Sequence, residues 1–135
     1  MSTIKVNTIQ GVGSGGFTGS VASEGGSNTT TDLQQGLCKH WVLVGSAGNS
    51  VTDSFNNTSV ADNGTGDYTV TRTNNMANAT FCVNVTSGSH ADGQNMATDT
   101  ATRTTAVFDI RGANAAESAV ADITNTNGAV WGDLA

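Results

Sequence analysis

The sequence contains no proline, only two cysteines, and few aromatic or charged residues. Aromatic residues make up 5% of the chain and charged residues 12%, so neither class supplies a large core or a strongly charged surface. Disorder usually combines low hydrophobicity with high net charge or abundant Pro and Glu, and this chain meets neither condition. The abundant Thr, Asn, Ser and Gly instead indicate a β protein with a thin core, for which burial of surface between subunits adds stability.

Positive charge is also scarce, because 5 Lys and Arg stand against 11 Asp and Glu and the net charge is −6. This balance argues against binding to nucleic acid or to an anionic membrane. No apolar run approaches the ~20 residues of a membrane-spanning helix, and the first residues lack the apolar segment of a signal peptide. We therefore expect a protein that is made in a cytoplasm and is not inserted in a membrane.

The first part of the chain, residues 1–32, is expected to be an arm followed by a linker. Residues 1–10 alternate like a short strand that adds to the edge of another sheet. The candidates for this anchoring contact are Ile4, Val6, Thr8 and Ile9. Residues 11–32 have the composition of a flexible Gly/Ser/Thr linker. The glycines of residues 11–16 match G-x-G-x-x-G, but no helical period follows them, so we predict no dinucleotide and no other cofactor.

Residues 33–135 are expected to form one all-β domain, an antiparallel β-sandwich or jelly roll of about eight strands. Short apolar or alternating runs recur about every 8–15 residues and are separated by Gly, Asn and Ser. The predicted strands outside the central hairpin are residues 39–45, 51–55, 79–86, 104–111, 118–123 and 129–132.

A β-hairpin lies at the centre of this pattern. Its turn is predicted at Asn63-Gly64-Thr65-Gly66, because Asn and Gly tolerate the positive φ angles of tight turns. The returning strand is predicted over residues 67–73. Alternation along it places Tyr68, Val70 and Arg72 on one face.

Most of the aromatic residues are assigned to the core or to a subunit interface: Trp41, Phe55, Tyr68, Phe81, Phe108 and Trp131. A less favoured role is a platform that stacks against sugars, since an aromatic ring binds the apolar face of a sugar. Residues 87–103 are polar and without a period, and loops of that length tend to be functional or disordered. The candidate ligand contacts in this loop are His90, Asp92, Gln94 and Asn95.

No constellation of residues predicts catalysis or a metal site. Cys38 and Cys82 lack the closely spaced partners of a zinc site, and free buried thiols are favoured over a disulfide. His40 could be combined with a nearby Ser and Asp, but the nucleophile elbow G-x-S-x-G is absent. Residues 62–67 offer oxygen ligands for Ca²⁺, yet they lack the pattern of an EF-hand and are better interpreted as a turn. We therefore expect no enzymatic activity.

The stretch from Trp41 to Phe81 resembles a segment of tail-fibre and related virion proteins of bacteriophages, those of marine and cyanobacterial hosts above all. The likeness is carried by Trp41, Ser54-Phe55-Asn56, Ser59, Asp62-Asn63-Gly64-Thr65-Gly66-Asp67-Tyr68-Thr69-Val70, Met76 and Ala79-Thr80-Phe81. Residues 1–10, 108–111 and 129–132 are similar more loosely. The chain departs at Arg72, where these proteins usually have an aromatic residue, and it is short for a complete fibre.

This resemblance implies a β-rich, trimeric head with an N-terminal segment that anchors it to the virion, and it implies no catalytic residues. We therefore expect a non-enzymatic virion structural protein: a short fibre, a tail component or a capsid decoration subunit. Its partners would be other copies of itself and other capsid or tail subunits. The alternative, from another class, is a host-surface adhesion or carbohydrate-binding module that contacts a host glycan.

Overall fold

A computed structural model of the chain describes residues 20–22, 30–32, 36–45, 50–88, 95–114 and 119–135. The chain forms two compact units, Met1–Leu37 and Cys38–Ala135. In the first unit, β1 (Ser20–Ala22) pairs antiparallel with β2 (Thr30–Asp32), a strand pair that the linker composition did not predict. The anchoring candidates Ile4, Val6, Thr8 and Ile9 lie outside the described residues.

The second unit is an antiparallel β-sandwich of eight strands, which confirms the predicted fold class. One sheet has the strand order β4-β3-β10-β7, and the other has the order β5-β6-β9-β8. The strands are β3 (His40–Val44), β4 (Val51–Phe55), β5 (Asn57–Gly64), β6 (Asp67–Arg72), β7 (Cys82–Ser87), β8 (Asn95–Asp99), β9 (Val107–Ala113) and β10 (Thr126–Trp131).

The chain crosses from the first sheet of the sandwich to the second at Asn56. This single residue separates β4 from β5, and its φ of 58° lies in the left-handed region that Asn tolerates better than most residues. Its side-chain amide donates a hydrogen bond to the Lys39 carbonyl oxygen at 2.9 Å, and its Oδ1 accepts one from the Asn74 backbone N–H at 2.7 Å. These bonds hold the sharp change of direction, which the strand pattern of the sequence did not predict.

The predicted hairpin is formed by β5 and β6, with a two-residue turn at Thr65 and Gly66. Asn63 and Gly64 belong to the end of β5, where the register shifts, so the turn is shorter than the four residues predicted for it. Gly64 and Gly66 have φ angles of 133° and 66°, which non-glycine residues adopt at a cost.

Gly66 also lies closely against a distant part of the chain, and Gly66→Ala is expected to lower the free energy of unfolding by about 2–4 kcal/mol. A Cβ at this position would lie 2.6 Å from the Gly112 carbonyl oxygen and 2.7 Å from that of Ala121. The matched control is Gly128→Ala, whose Cβ would meet its nearest atom, Val42 Cγ1, at 3.4 Å. Urea denaturation should show a change within about 1 kcal/mol for the control. Equal losses for the two variants would contradict the close approach at Gly66.

The core lies between the two sheets and is built from few side chains. Buried together are Val42, Val44, Val60, Tyr68, Val70, Met76, Phe81, Phe108, Ile110 and Val130. The predicted inward face of β6 is confirmed, because Tyr68, Val70 and Arg72 are all at most 3% exposed. Gly128 of β10 leaves room for the aromatic ring of Phe108 from the opposite sheet, whose Cζ lies 3.5 Å from where a Cβ at Gly128 would stand.

The predicted loop over residues 87–103 is wrong in part, because β8 lies within it and pairs antiparallel with β9. β8 forms an edge of its sheet and has a partner strand on one side only. The sequence Asn-Met-Ala-Thr-Asp contains one large apolar residue, Met96, and therefore shows too little alternation to be recognised as a strand.

The predicted strand over residues 118–123 is also wrong where the structure describes it. Residues 119–123 form only an isolated bridge between Val120 and Ala113. The last strand starts earlier than predicted, at Thr126, since the turn lies at Thr124 and Asn125 and the φ of Asn125 is 56°. The sequence Asn125-Thr126-Asn127-Gly128 predicts a turn over these four residues, but residues 126–128 lie within β10, where Gly128 faces the core.

Candidate functional site

The outer face of the β4-β3-β10-β7 sheet carries a concavity of about 390 Å³. Because side chains alternate along a strand, Trp41 and Leu43 lie on the outer face of β3 while His40, Val42 and Val44 are buried. In the neighbouring strand β10, Ala129 lies opposite Trp41 and Asn127 lies opposite Leu43. The concavity thus follows from the period-2 alternation of two adjacent central strands.

Both tryptophans of the chain line this concavity. Ala129 is the register partner of Trp41, and Trp131 is two residues beyond Ala129 on the same face of β10. The two indole rings therefore belong to diagonal neighbours, which aromatic side chains are long enough to bridge. Ala129 contributes only a methyl group beside the two indoles.

Polar side chains from three strands complete the lining. Asp53 comes from β4, Asn84 and Thr86 from β7, and Asn127 from β10. They offer one carboxylate that accepts hydrogen bonds, two amides that donate and accept, and one hydroxyl that does both. Among the described residues that line the concavity, none is positively charged and Asp53 alone is ionisable. This set is suited to binding and orienting a ligand.

Phe55 shares the outer face but does not line the concavity. It lies opposite Trp41 in the edge strand β4 and is 52% exposed. A large aromatic residue on the same face, next to the site and outside it, is a natural control for the two tryptophans.

The six aromatic residues assigned to the core or an interface divide into two groups. Tyr68, Phe81 and Phe108 are buried in the core. Trp41, Phe55 and Trp131 lie on the outer face, so a core role is wrong for them, and an interface role stays a prediction. Adjacency to a valine does not separate the groups, since Phe108 of the core follows Val107 just as each tryptophan is next to a valine.

Of the ligand-contact candidates in the predicted loop, the structure describes only Asn95. His90, Asp92 and Gln94 lie outside the described residues. Asn95 is the first residue of β8 and pairs with Ala113 of β9, so its assignment to a loop was wrong.

His40, the only histidine in the part of the chain that the structure describes, is fully buried and belongs to the fold. Its Nε2 lies 3.2 Å from Asn57 Oδ1, and its ring meets that of Phe108 edge-on at a centroid distance of 5.5 Å. Burial lowers the pKa of His40 to about 4, and the positive charge of Arg72 contributes in the same direction. A buried, neutral imidazole whose side-chain partner is an amide does not support the triad considered for it.

Arg72, on the inward face of β6, places a flat cation against two aromatic rings of the core. Its guanidinium carbon lies 4.1 Å from the ring centroid of Phe81 and 5.3 Å from that of Phe108, and its Nη1 donates to the Thr105 carbonyl oxygen at 2.8 Å. Within the described residues its Nε and Nη2 have no hydrogen-bond partner. Burial, and next the charge of Arg103, lower the pKa of Arg72 to about 10. Stacking on two rings therefore stabilises the buried guanidinium.

The turn at residues 62–67 is held by bonds within the fold. Asp122 Oδ1 accepts hydrogen bonds from the Gly66 backbone N–H at 2.7 Å and from the Tyr68 hydroxyl at 2.8 Å, and in that order these bonds lower the pKa of Asp122. Asp67 forms an ion pair with Arg111. No group of three metal-binding side chains occurs in the described ranges, and the geometry agrees with the interpretation as a turn.

Both cysteines are free. Cys38 is partly buried, and its thiol donates to the His40 carbonyl oxygen at 3.0 Å. Cys82 is exposed, which corrects the expectation of a buried thiol. It lies on the outer side of β7 because the neighbouring residues Phe81 and Val83 point toward the core.

Comparisons with protein-family models, with curated proteins and with solved structures found no match for this chain. In the described part of the chain, no helix has the length and apolar character needed to cross a membrane.

Proposed function

We propose that this chain is a non-enzymatic structural protein of a bacteriophage particle: a short fibre, a tail component or a capsid decoration subunit that its N-terminal arm anchors. The observation that carries the proposal is that the residues of the resemblance include those that form the sheet crossing, the hairpin turn and part of the core. A likeness confined to a few surface positions could arise by chance. A likeness that follows the sheet crossing, the tight turn and the core strand supports a shared architecture.

Several residue types of that pattern have a defined structural role. Asn56 adopts the left-handed conformation at the sheet crossing, and Gly66 closes the hairpin turn against the backbone of Ala121. Tyr68 and Phe81 are core residues, and the Tyr68 hydroxyl is tied to Asp122.

The non-enzymatic part of the proposal is supported by where the ionisable groups lie. His40 is fully buried, so a substrate does not reach it. Asp53 is an isolated carboxylate in the lining of the concavity, whereas glycosidase chemistry usually needs a pair of carboxyl groups. Asp122 and Tyr68 are engaged with each other and with the turn.

Self-association into a homotrimer is part of the proposal. The core is thin, and large apolar side chains remain outside it on the edge strand β4, where Val51 is 38% and Phe55 52% exposed. Exposed apolar edge strands are uncommon in monomeric proteins, because they promote pairing with other chains. Association would cover this surface and add the stability that the core alone does not supply.

The anchoring role is tested by deleting residues 1–10. We expect the variant to be lost from purified virions, as measured by immunoblot against the full-length protein, because the alternating strand that would add to a capsid or tail subunit is missing. Light scattering is the control and should give a trimer for both proteins, since the sandwich begins at Cys38. Incorporation that survives while adsorption to the host falls would contradict the anchoring role. A monomer in both cases would contradict the trimer.

A further inference from the structure

We propose that the concavity on the outer face of the β4-β3-β10-β7 sheet binds a neutral saccharide against the indole rings of Trp41 and Trp131. This inference goes beyond the structural role proposed above, which requires no ligand. It rests on the placement of two tryptophans, on the chemistry of the polar lining and on the charge of the chain.

The placement of the tryptophans is the first argument. The chain has only two, and both line one concavity on one sheet, from adjacent strands and at diagonal positions. Trp41 is 38% exposed, so part of a large apolar side chain stays in contact with water. Exposed apolar surface within a concavity is a mark of a binding site. The flat C–H face of a pyranose ring fits against an indole, and the small Ala129 leaves space for it.

The polar lining is the second argument. A saccharide presents hydroxyl groups around the edge of its ring, and each hydroxyl both donates and accepts hydrogen bonds. Asp53 can accept from two neighbouring hydroxyls, while Asn84 and Asn127 can donate to one and accept from another. Apolar walls with a few polar groups that fix orientation are the usual composition of a small-molecule site.

The dimensions limit the size of the ligand. Asp53 on one edge strand and Thr86 on the other share one register row, so three inter-strand spacings separate them, about 14 Å in total. The volume of about 390 Å³ is near the lower end of the range for small-molecule sites. These dimensions suit a disaccharide or the end of a longer glycan.

The charge distribution selects a neutral sugar. The net charge is −6, and the sole ionisable group in the described lining is the carboxylate of Asp53. A uronate, sialyl, sulfate or phosphate group would therefore be repelled and would find no cation in the lining to pair with. The same argument excludes nucleotides, because their phosphate groups are negatively charged, although their bases could stack on the tryptophans.

The test is a titration of the full-length protein with four neutral disaccharides: cellobiose, N,N′-diacetylchitobiose, lactose and maltose. Because both tryptophans line the site, the whole tryptophan emission reports on it. We expect at least one disaccharide to change the emission saturably, with a Kd on the order of 1 mM, typical of a small ligand with few contacts. Glucuronic acid and sialyllactose should produce no saturable change.

Variants locate the binding site, with calorimetry as the readout because tryptophan emission changes when a tryptophan is removed. Trp131→Ala and Trp41→Ala are each expected to weaken binding about 10-fold or more. Asp53→Asn should weaken it by a smaller factor, about 3–10-fold. The matched control Phe55→Ala removes an aromatic ring from the same face outside the concavity and should leave Kd within about 2-fold. Circular dichroism of each variant checks that it is folded.

Three outcomes would overturn the inference. The first is no saturable change with any of the four disaccharides, and the second is a Trp131→Ala variant that binds as tightly as the unchanged protein. The third is binding of the anionic sugars as tight as that of the neutral disaccharides. If copies of the chain cover this face, the sugars will not bind. The tryptophan emission of the protein without sugar will then already be that of buried indole. Each of these failures is separate from the failure of the virion proposal, which the deletion of residues 1–10 tests without any sugar.

Discussion

Phe108→Ala is expected to lower the free energy of unfolding by about 3–5 kcal/mol, the usual cost of removing a fully buried phenylalanine. Phe108 is 0% exposed and lies between the two sheets. Its ring contacts the His40 ring edge-on at a centroid distance of 5.5 Å and lies 5.3 Å from the guanidinium carbon of Arg72. The substitution would leave a cavity and would also remove one of the two rings on which the buried cation stacks.

Urea denaturation followed by circular dichroism measures this loss. The control is Phe55→Ala, the same chemical change at a position that is 52% exposed, which should cost less than about 1 kcal/mol. Measuring both variants at several protein concentrations separates the stability of the fold from that of an oligomer. Similar losses at the two positions would mean that Phe108 does not hold the sheets together.

Acidification is expected to remove up to about 3 kcal/mol of stability as the pH falls from 6.5 toward 4, because His40 is buried in the neutral form. Its pKa is about 4 in the folded protein and 6.5 ordinarily. Between these values the unfolded chain binds more protons than the folded one. The contribution is therefore fully present above pH 6.5 and is lost as the pH decreases through this window.

The variant that tests this is His40→Gln, which keeps an N–H donor for Asn57 Oδ1 and cannot titrate. Urea midpoints measured from about pH 7 to about pH 4 should change much less in the variant than in the original protein. His90→Gln measures how much the second histidine contributes to the loss of stability on acidification. Asp122, whose pKa is lowered, contributes to that loss only below the same pH window. A slope that persists in His40→Gln would show that another group is responsible.

The strand β3 links the two faces on which these predictions rest. Its inward residues, His40 and Val42, belong to the core, while Trp41 between them lines the concavity. Loss of packing on the core side of β3 should therefore also disturb the concavity on its outer side. For this reason the variants chosen for sugar binding change only outward-facing side chains.

The sequence by itself determined the features that depend on neighbours along the chain. Alternation predicted strands and the inward face of Tyr68, Val70 and Arg72, because a period of two follows from the geometry of a single strand. The hairpin between β5 and β6 could be predicted because Gly64 and Gly66 permit the positive φ angles of a tight turn. Together these local signals were sufficient for the all-β sandwich class.

Only the tertiary structure decided which strands pair, which face of each strand is covered, and where the chain changes sheet. Trp41 and Trp131 come together because β3 and β10, from opposite ends of the sandwich unit, pair side by side. β8 is a strand because β9 supplies its hydrogen-bonding partner, and Arg72 is buried where it stacks on the rings of Phe81 and Phe108. These outcomes depend on contacts between distant segments, and a periodicity measured along a single segment carries no information about its partner.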